Sequence, residues 1–302
     1  MAEGRYVGRE PLVSIITINY NQAEVTAAFL ASSRRLRYPN YEIIVVDNGS
    51  RVTVEEVVRR EANPRVRLLL SPENLGFTGG NNLGMKAARG EFFFIVNNDT
   101  ELNETLLDDL MAPFADPAVG VVCPKIRYFS EPDRIQYAGY GKLNAYTGQV
   151  VAVGTREQDH GQYDEPGPTH YAHGAAMMVR RSVAEAVGLF AEEFFLCYEE
   201  LDWSARIRRA GYTIFYQPPA VILHKESTSI GKASPLKVYY HTRNRILFMR
   251  RNTGGLQWLS FLVFFCLLAV PKHLLLYTLR GQWTHLRSFV SGLRWNLSYR
   301  PA

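Results

Sequence analysis

The sequence predicts an α/β fold: a doubly wound, mainly parallel sheet followed by a helical extension suited to a membrane surface. Three features predict it. Short apolar runs rich in β-branched and aromatic residues alternate with segments of helical length. Polar residues cluster just past three of those runs. The last quarter of the chain is apolar and basic, with no acidic residue after position 226.

Taken in order, residues 12–18, 43–46, 66–70 and 92–96 suit strands buried on both faces. Between them, 23–36, 54–62 and 80–88 have helical length, and Asn103 or Thr105 can cap a fourth helix ending near Pro113. Such alternation means right-handed βαβ units with ligands at the carboxyl ends of the strands. From 121 to 168 the pattern loosens into hairpins and loops with frequent Gly, Pro and Tyr. A strand at 174–179, a helix from near Ser182 and a basic helix ending at Gly211 follow. Two short strands, 213–216 and 220–224, close the body. No internal repeat is evident.

The 302 residues are 47% hydrophobic and 21% charged, which excludes a disordered or collagen-like chain. Cys123, Cys197 and Cys266 are far apart, against a disulfide framework or a cysteine zinc site. No charged-then-apolar leader opens the chain, so no secretory signal is expected. Of 34 basic side chains, eleven fall in 227–302, which leaves 23 facing 29 acidic ones in the body. An acidic body thus carries a basic tail. Because that charge accompanies a long apolar run, it suits lipid better than nucleic acid, and no nucleic-acid partner is expected.

Residues 256–270 are fifteen residues without a charge. At about 1.5 Å per residue they span roughly 22 Å, short of the roughly 30 Å hydrocarbon core. Arg250 and Arg251 precede them and Lys272 and Arg280 follow, giving no orientation signal for a single span. Residues 283–299 place Trp283, Leu286, Val290, Leu293 and Leu297 on one helical face, with Arg287, Arg294 and Arg300 on others. Such a helix lies in an anionic lipid surface. Interfacial or re-entrant helices are therefore expected rather than a span.

The residues suited to chemistry end the predicted strands. In Asn97-Asn98-Asp99 the carboxylate can hold a hard divalent cation against a diphosphate. In Asp47-Asn48-Gly49-Ser50 the carboxylate can accept from a base or ribose. Asn19-Tyr20-Asn21 ends the first strand. The stretch 74–82 is glycine-rich and opens a helix, so backbone can approach an anionic ligand there, but it is neither GxGxxG nor a P-loop. In Glu199-Glu200-Leu201-Asp202 crowded carboxylates should raise at least one pKa, as a general base requires. His224 ends a strand where it can meet Asp99 as a nitrogen ligand. His170 and His173 lack the further ligands of a zinc set.

The ordered set Val13–Asn21, Val46-Asp47-Asn48-Gly49-Ser50, Asn74-Leu75-Gly76-Phe77, Asn97-Asn98-Asp99, Glu199-Glu200-Leu201-Asp202 and Leu223-His224 resembles family 2 glycosyltransferases of the GT-A fold. It looks closest to their bacterial rhamnosyltransferase-like branch. The resemblance covers roughly 11–252, dividing the chain into a catalytic domain at 1–252 and a membrane-associating segment at 253–302. It implies inverting transfer from a nucleotide-diphosphate sugar, with dTDP-L-rhamnose favoured and UDP-sugars as the alternative. Thr17, Asn19, Tyr20, Asp47, Gly80, Asn81, Asn97 and Asn98 would bind the donor nucleotide. Asp99 matches the last carboxylate of the family's DxD motif and His224 its additional ligand, for Mg²⁺ or Mn²⁺. Glu200 matches the second acid of the family's acidic pair, commonly the base.

This chain departs from the pattern twice. Asn97 replaces the first Asp of DxD, and Glu200 is one methylene longer than the expected Asp. The base assignment stays open among Glu199, Glu200 and Asp202. The resemblance further implies a lipid-linked or polysaccharide acceptor in cell-surface glycan synthesis. The enzyme would then sit at the cytoplasmic face of a bacterial inner membrane, peripheral or monotopic, held through its C-terminal helices. The tail also allows a homodimer. Residues 237–251 form a connecting helix with Arg243, Arg245, Arg250 and Arg251 available for phosphates. The competing readings are a sugar nucleotidyltransferase and a non-catalytic membrane adaptor.

Overall fold

A computed structural model describes residues 10–225 and 234–299 of the chain. The first half is β1 (Val13–Asn19), α1 (Ala23–Ser33), β2 (Tyr41–Asn48), α2 (Glu55–Glu61), β3 (Val66–Ser71), α3 (Gly76–Ala87) and β4 (Phe92–Val96). These four strands pair in parallel in the order β3-β2-β1-β4, with Ile15 opposite both Ile43 and Phe94. β2 and β4 are buried along their whole length, as their unbroken apolar runs require.

The second half continues the sheet as β4-β9-β6-β10-β5. Its elements are β5 (Thr100–Leu102), α4 (Leu106–Met111), β6 (Val119–Tyr128), β7 (Ile135–Tyr137), β8 (Gly167–Thr169), β9 (Ala176–Arg180), α5 (Arg181–Val187), α6 (Glu199–Arg209) and β10 (Thr213–His224). β9 runs antiparallel to both β4 and β6, while β6 and β10 are parallel. The antiparallel β9 starts beside the carboxyl end of β4, with Ala176 opposite Val96, and runs back to its amino end.

Three expectations change here. The region expected to loosen from residue 121 begins with β6, a ten-residue strand whose first eight positions are buried. Its apolar run is interrupted by Lys125, which is 1% exposed and bonded to Asp159 at 3.1 Å and to Asp164. A buried charge with partners from a distant loop cannot be told from a loop residue in the sequence. The two closing strands are one, β10, which crosses Pro218 and Pro219 through a register shift between Gln217 and Val221. α3 starts at Gly76 rather than at 80, because Asn74 Oδ1 accepts from the Gly76 amide at 2.8 Å.

The C-terminal helices are α7 (Pro235–Asn252), α8 (Gly255–Phe264), α9 (Val270–Leu279) and α10 (Trp283–Ser298). A π turn, Phe265–Ala269, joins α8 to α9, so Gly255–Leu279 is one continuous helix of 25 residues, with mean hydropathy 2.1 over an 18-residue window. The widened turn absorbs Pro271, which in the sequence alone reads as the end of the apolar segment. At about 1.5 Å per residue the helix reaches roughly 37 Å, so the tail is not too short to span. It is long and apolar enough to cross a membrane. Its inner side joins a second core, in which Phe261, Phe265 and Ala269 meet Phe248, Leu247, Tyr198 and Phe194. Arg300 lies outside the described residues.

Candidate active site

The polar ends of β1, β2 and β4 converge, and most of their side chains bond to one another. Asn98 Nδ2 donates to Thr26 Oγ1 at 2.9 Å, and Thr26 Oγ1 donates to Asn19 Oδ1 at 2.9 Å. Asn19 Nδ2 donates to Asp47 Oδ2 at 3.2 Å. Asp47 also accepts from the Ser50 and Val54 amides at 2.9 and 2.7 Å. Asn19, Asp47 and Asn98 are all buried. Both oxygens of Asp47 thus hold the turn that follows β2. Asn48 ties that turn to the next loop, donating to Gly76 O at 2.9 Å and accepting from the Leu75 amide at 3.0 Å.

Gly80 and Asn81 also face inward. A Cβ on Gly80 would come 2.9 Å from Ile18 Cδ1, so this glycine lets α3 lie against β1. Asn81 is 1% exposed and donates to Phe77 O at 2.9 Å. Two of the expected donor residues stand apart from these bonds. Tyr20 is 39% exposed, and Thr17 Oγ1, though buried, has no hydrogen-bond partner.

Asp99 and His224 come together from β4 and β10. Asp99 Oδ1 lies 3.1 Å from His224 Nε2, with both side chains buried. His224 Nδ1 sits 2.8 Å from Gln136 Oε1, a bond in which the ring N–H donates. Nε2 therefore faces the carboxylate either with a second proton or with its lone pair turned to a cation. Asn97 adds its amide at 3.5 Å from Nε2. The arrangement fits a divalent ion: a carboxylate and an imidazole converge, and the second ring nitrogen is fixed by an outer amide. Among the described residues no third His, Cys, Asp or Glu joins them.

A short turn links this pair to the acidic cluster. The Asn97 amide donates to Ala175 O at 2.9 Å, and a Cβ on Gly174 would fall 3.9 Å from Glu200 Cδ. Asp99–His224 and Glu200 therefore flank the 173–175 turn. His173 in that turn stacks on Tyr140 at 5.9 Å, and burial with the charge of His224 pushes its pKa down to about 3, so the ring stays neutral.

Glu199, Glu200 and Asp202 differ sharply in surroundings. Asp202 turns to α7, accepting from Arg206 at 3.0 Å, Arg251 at 3.1 Å and Asn252 at 2.9 Å. Glu199 and Glu200 each keep a buried Oε2 with no hydrogen-bond partner. Burial raises the Glu199 pKa far above the usual range, and the neighbouring Glu200 charge adds to it. Burial pushes Glu200 up to about 7, against the lowering effect of the α6 amides.

The loop before α6 is held by contacts that the sequence does not announce. Phe195, Cys197 and Tyr198 take φ of 60, 69 and 73°, a region costly for residues with a Cβ. Asn244 on α7 is fully buried and donates from Nδ2 to Phe194 O, Leu196 O and Cys197 O at 2.7–2.8 Å. Arg243 adds a bond to Phe194 O at 2.8 Å. From the other side the Phe77 amide donates to Phe195 O at 2.7 Å. Gly76 (φ 70°) allows that approach, since a Cβ there would fall 2.5 Å from Phe195 O.

The α7 arginines expected to be available for phosphates are largely committed. Arg243 serves the loop, Arg251 pairs with Asp202 and Glu193, and Arg250 donates to Asn296 O at 3.1 Å. Arg245 donates to Thr147 O, a carbonyl that leaves its charge uncompensated. A cavity of about 530 Å³ lined by Arg35, Asn103, Arg127 and Leu223 opens on the opposite face of β10 and includes none of the site residues.

The family model described as Glycosyl transferase family 2 matches residues 14–188. The chain belongs to glycosyltransferase family 2. An uncharacterised protein of Sinorhizobium fredii is 31% identical over 259 residues, covering 80% of this chain, which spans only 27% of that protein's length. The N-acetylglucosaminyl-diphospho-decaprenol L-rhamnosyltransferase of Mycobacterium tuberculosis is 25% identical over 268 residues, covering 81% of this chain and 86% of its own. In fold, the chain resembles the mannosyltransferase of Pyrobaculum calidifontis solved with GDP-Man and Mn²⁺. That likeness has a TM-score of 0.61 and 18% identity, over 96% of this chain and 88% of the other. As a family 2 glycosyltransferase the chain uses a nucleotide-sugar donor and a sugar acceptor. The family match includes Asp99 but ends before Glu199, Glu200, His224 and α7; the fold brings His224 to Asp99 and Glu200 to the 173–175 turn.

Proposed function

We propose that this glycosyltransferase is inverting and uses Mg²⁺ or Mn²⁺, moving L-rhamnose from dTDP-L-rhamnose to a hydroxyl of a lipid-linked glycan acceptor. The observation that carries the reading is the flanking of one turn by two unlike groups. On one side a carboxylate and an imidazole converge; on the other a carboxylate with one partnerless oxygen has a raised pKa. The sugar comes from a relative covered over most of its length, and so does the lipid, since that relative's name includes a diphospho-decaprenol.

The residues divide the work. Asp99 and His224 would hold the cation at the donor diphosphate, with Asn97 beside them. That ion would neutralise the charge left on the departing nucleoside diphosphate. Thr17 and Tyr20 would meet the nucleoside, while Asn19, Asp47, Asn98, Gly80 and Asn81 keep the strand edge in shape. Glu200 would take the acceptor proton through Oε2 as the hydroxyl attacks the anomeric carbon from the far side. A desolvated carboxylate titrating near 7 is matched to that transfer. Glu199 beside it stays protonated, because burial and the Glu200 charge raise its own pKa. Asp202, neutralised by two arginines, would brace α6 against α7. Direct displacement needs no covalent intermediate, so no Ser or Cys nucleophile is required.

The tail supports attachment to the cytoplasmic face of a membrane. Leu256, Leu259, Val263, Leu267, Leu275 and Leu279 are exposed along the Gly255–Leu279 helix. Thermal-shift titration of the full chain with dTDP, UDP and GDP, with and without Mn²⁺, tests the donor. Stabilisation by dTDP that needs Mn²⁺ is expected, and Asp99→Ala should remove the metal dependence while the chain stays folded. A metal-dependent shift with UDP or GDP alone would reassign the donor. Unchanged transfer by the Asp99→Ala protein would defeat the metal assignment.

A further inference from the structure

α7 carries Lys237, His241 and Arg245 four residues apart, on one stripe of the helix. Among the described residues no carboxylate lies within ion-pair distance of Lys237 or Arg245, and the Lys237 ammonium has no hydrogen-bond partner. Arg245 spends its Nε and one Nη on Thr147 O, and its guanidinium lies over the Phe265 ring at 5.3 Å. Partial desolvation, then the charges of Lys237 and Arg245, hold the His241 pKa down to about 4, so this ring lies between two cations without sharing their charge.

The stripe connects two places already described. At the catalytic end, the His241 ring meets Tyr198, the residue before Glu199, at 6.0 Å. The charges of Glu199 and Glu200 reach the Cys197 thiol, and so does that of Lys237. At the other end, Arg245 lies over Phe261 and Phe265, which belong to the long apolar helix. Beyond them on that helix Val263, Leu267 and Leu268 are exposed. Uncompensated positive charge therefore lies between a general base and a lipid-compatible surface. No acidic residue follows position 226 to offset it.

We propose that Lys237 and Arg245, with the His241 ring between them, bind the diphosphate of a lipid-linked acceptor. This assignment rests on the glycosyl-transfer reading. The sugar would point to Glu200 and the hydrocarbon chain to the Gly255–Leu279 helix. The chemistry recognised is a phosphate-bearing lipid headgroup, and the site takes the acceptor rather than the bulk bilayer.

The test measures binding without sugar transfer. Farnesyl diphosphate is titrated calorimetrically into the full chain in neutral detergent with EDTA, which silences a metal-dependent donor site. Lys237→Gln should weaken binding about tenfold or more, the loss of one charge-assisted hydrogen bond. Arg245→Gln should do the same, and farnesol should bind wild type and variants alike. Arg245→Gln also frees Thr147 O, so Lys237→Gln, which removes no contact within the fold, is decisive. Equal affinity of the Lys237→Gln and wild-type proteins for farnesyl diphosphate would overturn the proposal. In a second arm, flotation with phosphatidylglycerol vesicles should respond little to Lys237→Gln. A flotation loss as large as the farnesyl diphosphate loss would mark a general headgroup site and overturn the acceptor assignment. A chain that binds the diphosphate through Lys237 yet transfers no sugar would instead refute the catalytic reading and leave the stripe standing.

Discussion

The two walls of the cleft are built by opposite means. On the donor side, Asn98, Thr26, Asn19 and Asp47 satisfy one another in a buried chain of hydrogen bonds, and the strands beneath them are regular. On the base side, three residues with a Cβ take positive φ, and two carboxylates keep oxygens without partners. A saturated polar network is a scaffold, because every buried group already has its bond. Unsatisfied carboxylates above a strained loop are costly unless something outside the fold uses them. On the proposed roles, the scaffold lies on the donor edge and the reactive groups on the base loop.

The sharpest way to break it is to neutralise the carboxylates one at a time. Glu200→Gln should reduce turnover by about 10²–10⁴-fold, with nucleotide binding by thermal shift unchanged. Asp202→Asn should instead destabilise the fold by about 1.5–3 kcal/mol, through weakened bonds to Arg206 and Arg251, and spare much of the chemistry. If the two phenotypes are exchanged, the base has been named wrongly. The pH dependence follows from the same group. A base raised to about 7 must be ionised to act, so kcat/KM should climb with pH and level off above that value. Stability runs the other way. Glu199 and Glu200 bind their protons more tightly folded than unfolded, so their contribution is complete below the unfolded value near 4.5 and is lost as pH rises through the folded values. Activity and melting temperature should diverge across that interval. Parallel profiles would argue against a buried base.

Asn244 sharpens the comparison from the scaffold side of the base loop. Its amide serves three carbonyls of a segment that no strand or helix holds. Asn244→Ala should lower kcat roughly tenfold, about 1.4 kcal/mol, while KM for the donor holds. Asn244→Asp should be worse, since it turns acceptors toward carbonyls. A purely structural role would lower the melting temperature and leave the kcat/KM pH profile of the folded fraction unchanged. A positioning role shifts that profile's acid limb, because Glu200 moves with the loop.

The parallel half of the fold was legible because its strands are unbroken apolar runs, and the approach of His224 to Asp99 because polar residues end such runs; Glu200 stood out only as one of a cluster of acids. What escaped detection had partners far off in the chain. Lys125 hid β6 because its counter-charges sit at 159 and 164. Asn244 looked like one polar residue in a connecting helix, since its three acceptors lie nearly fifty residues earlier. Asp47 and Asn98, expected at the donor, also bond within the strand edge, a second use that the sequence does not announce. Side chains of that type serve ligands and strand ends equally well, and only geometry separates the uses. Pro271 misled by its local effect alone, because a π turn five residues long absorbed it.

The smallest effect tests the scaffold itself. Thr26 Oγ1 stands in the middle of the donor-side chain, accepting from Asn98 and donating to Asn19. Thr26→Val keeps the shape and strands both amides in a buried site. That should cost about 1–3 kcal/mol of stability, read as a lower melting temperature. Turnover at saturating donor should stay near wild type, because neither amide touches a reacting atom and the Asp99–His224 pair is held from β10 and Gln136 instead. A loss of kcat comparable with that of Asn244→Ala would show that the donor edge works on the chemistry as directly as the base loop does, and the contrast between the two walls would fail.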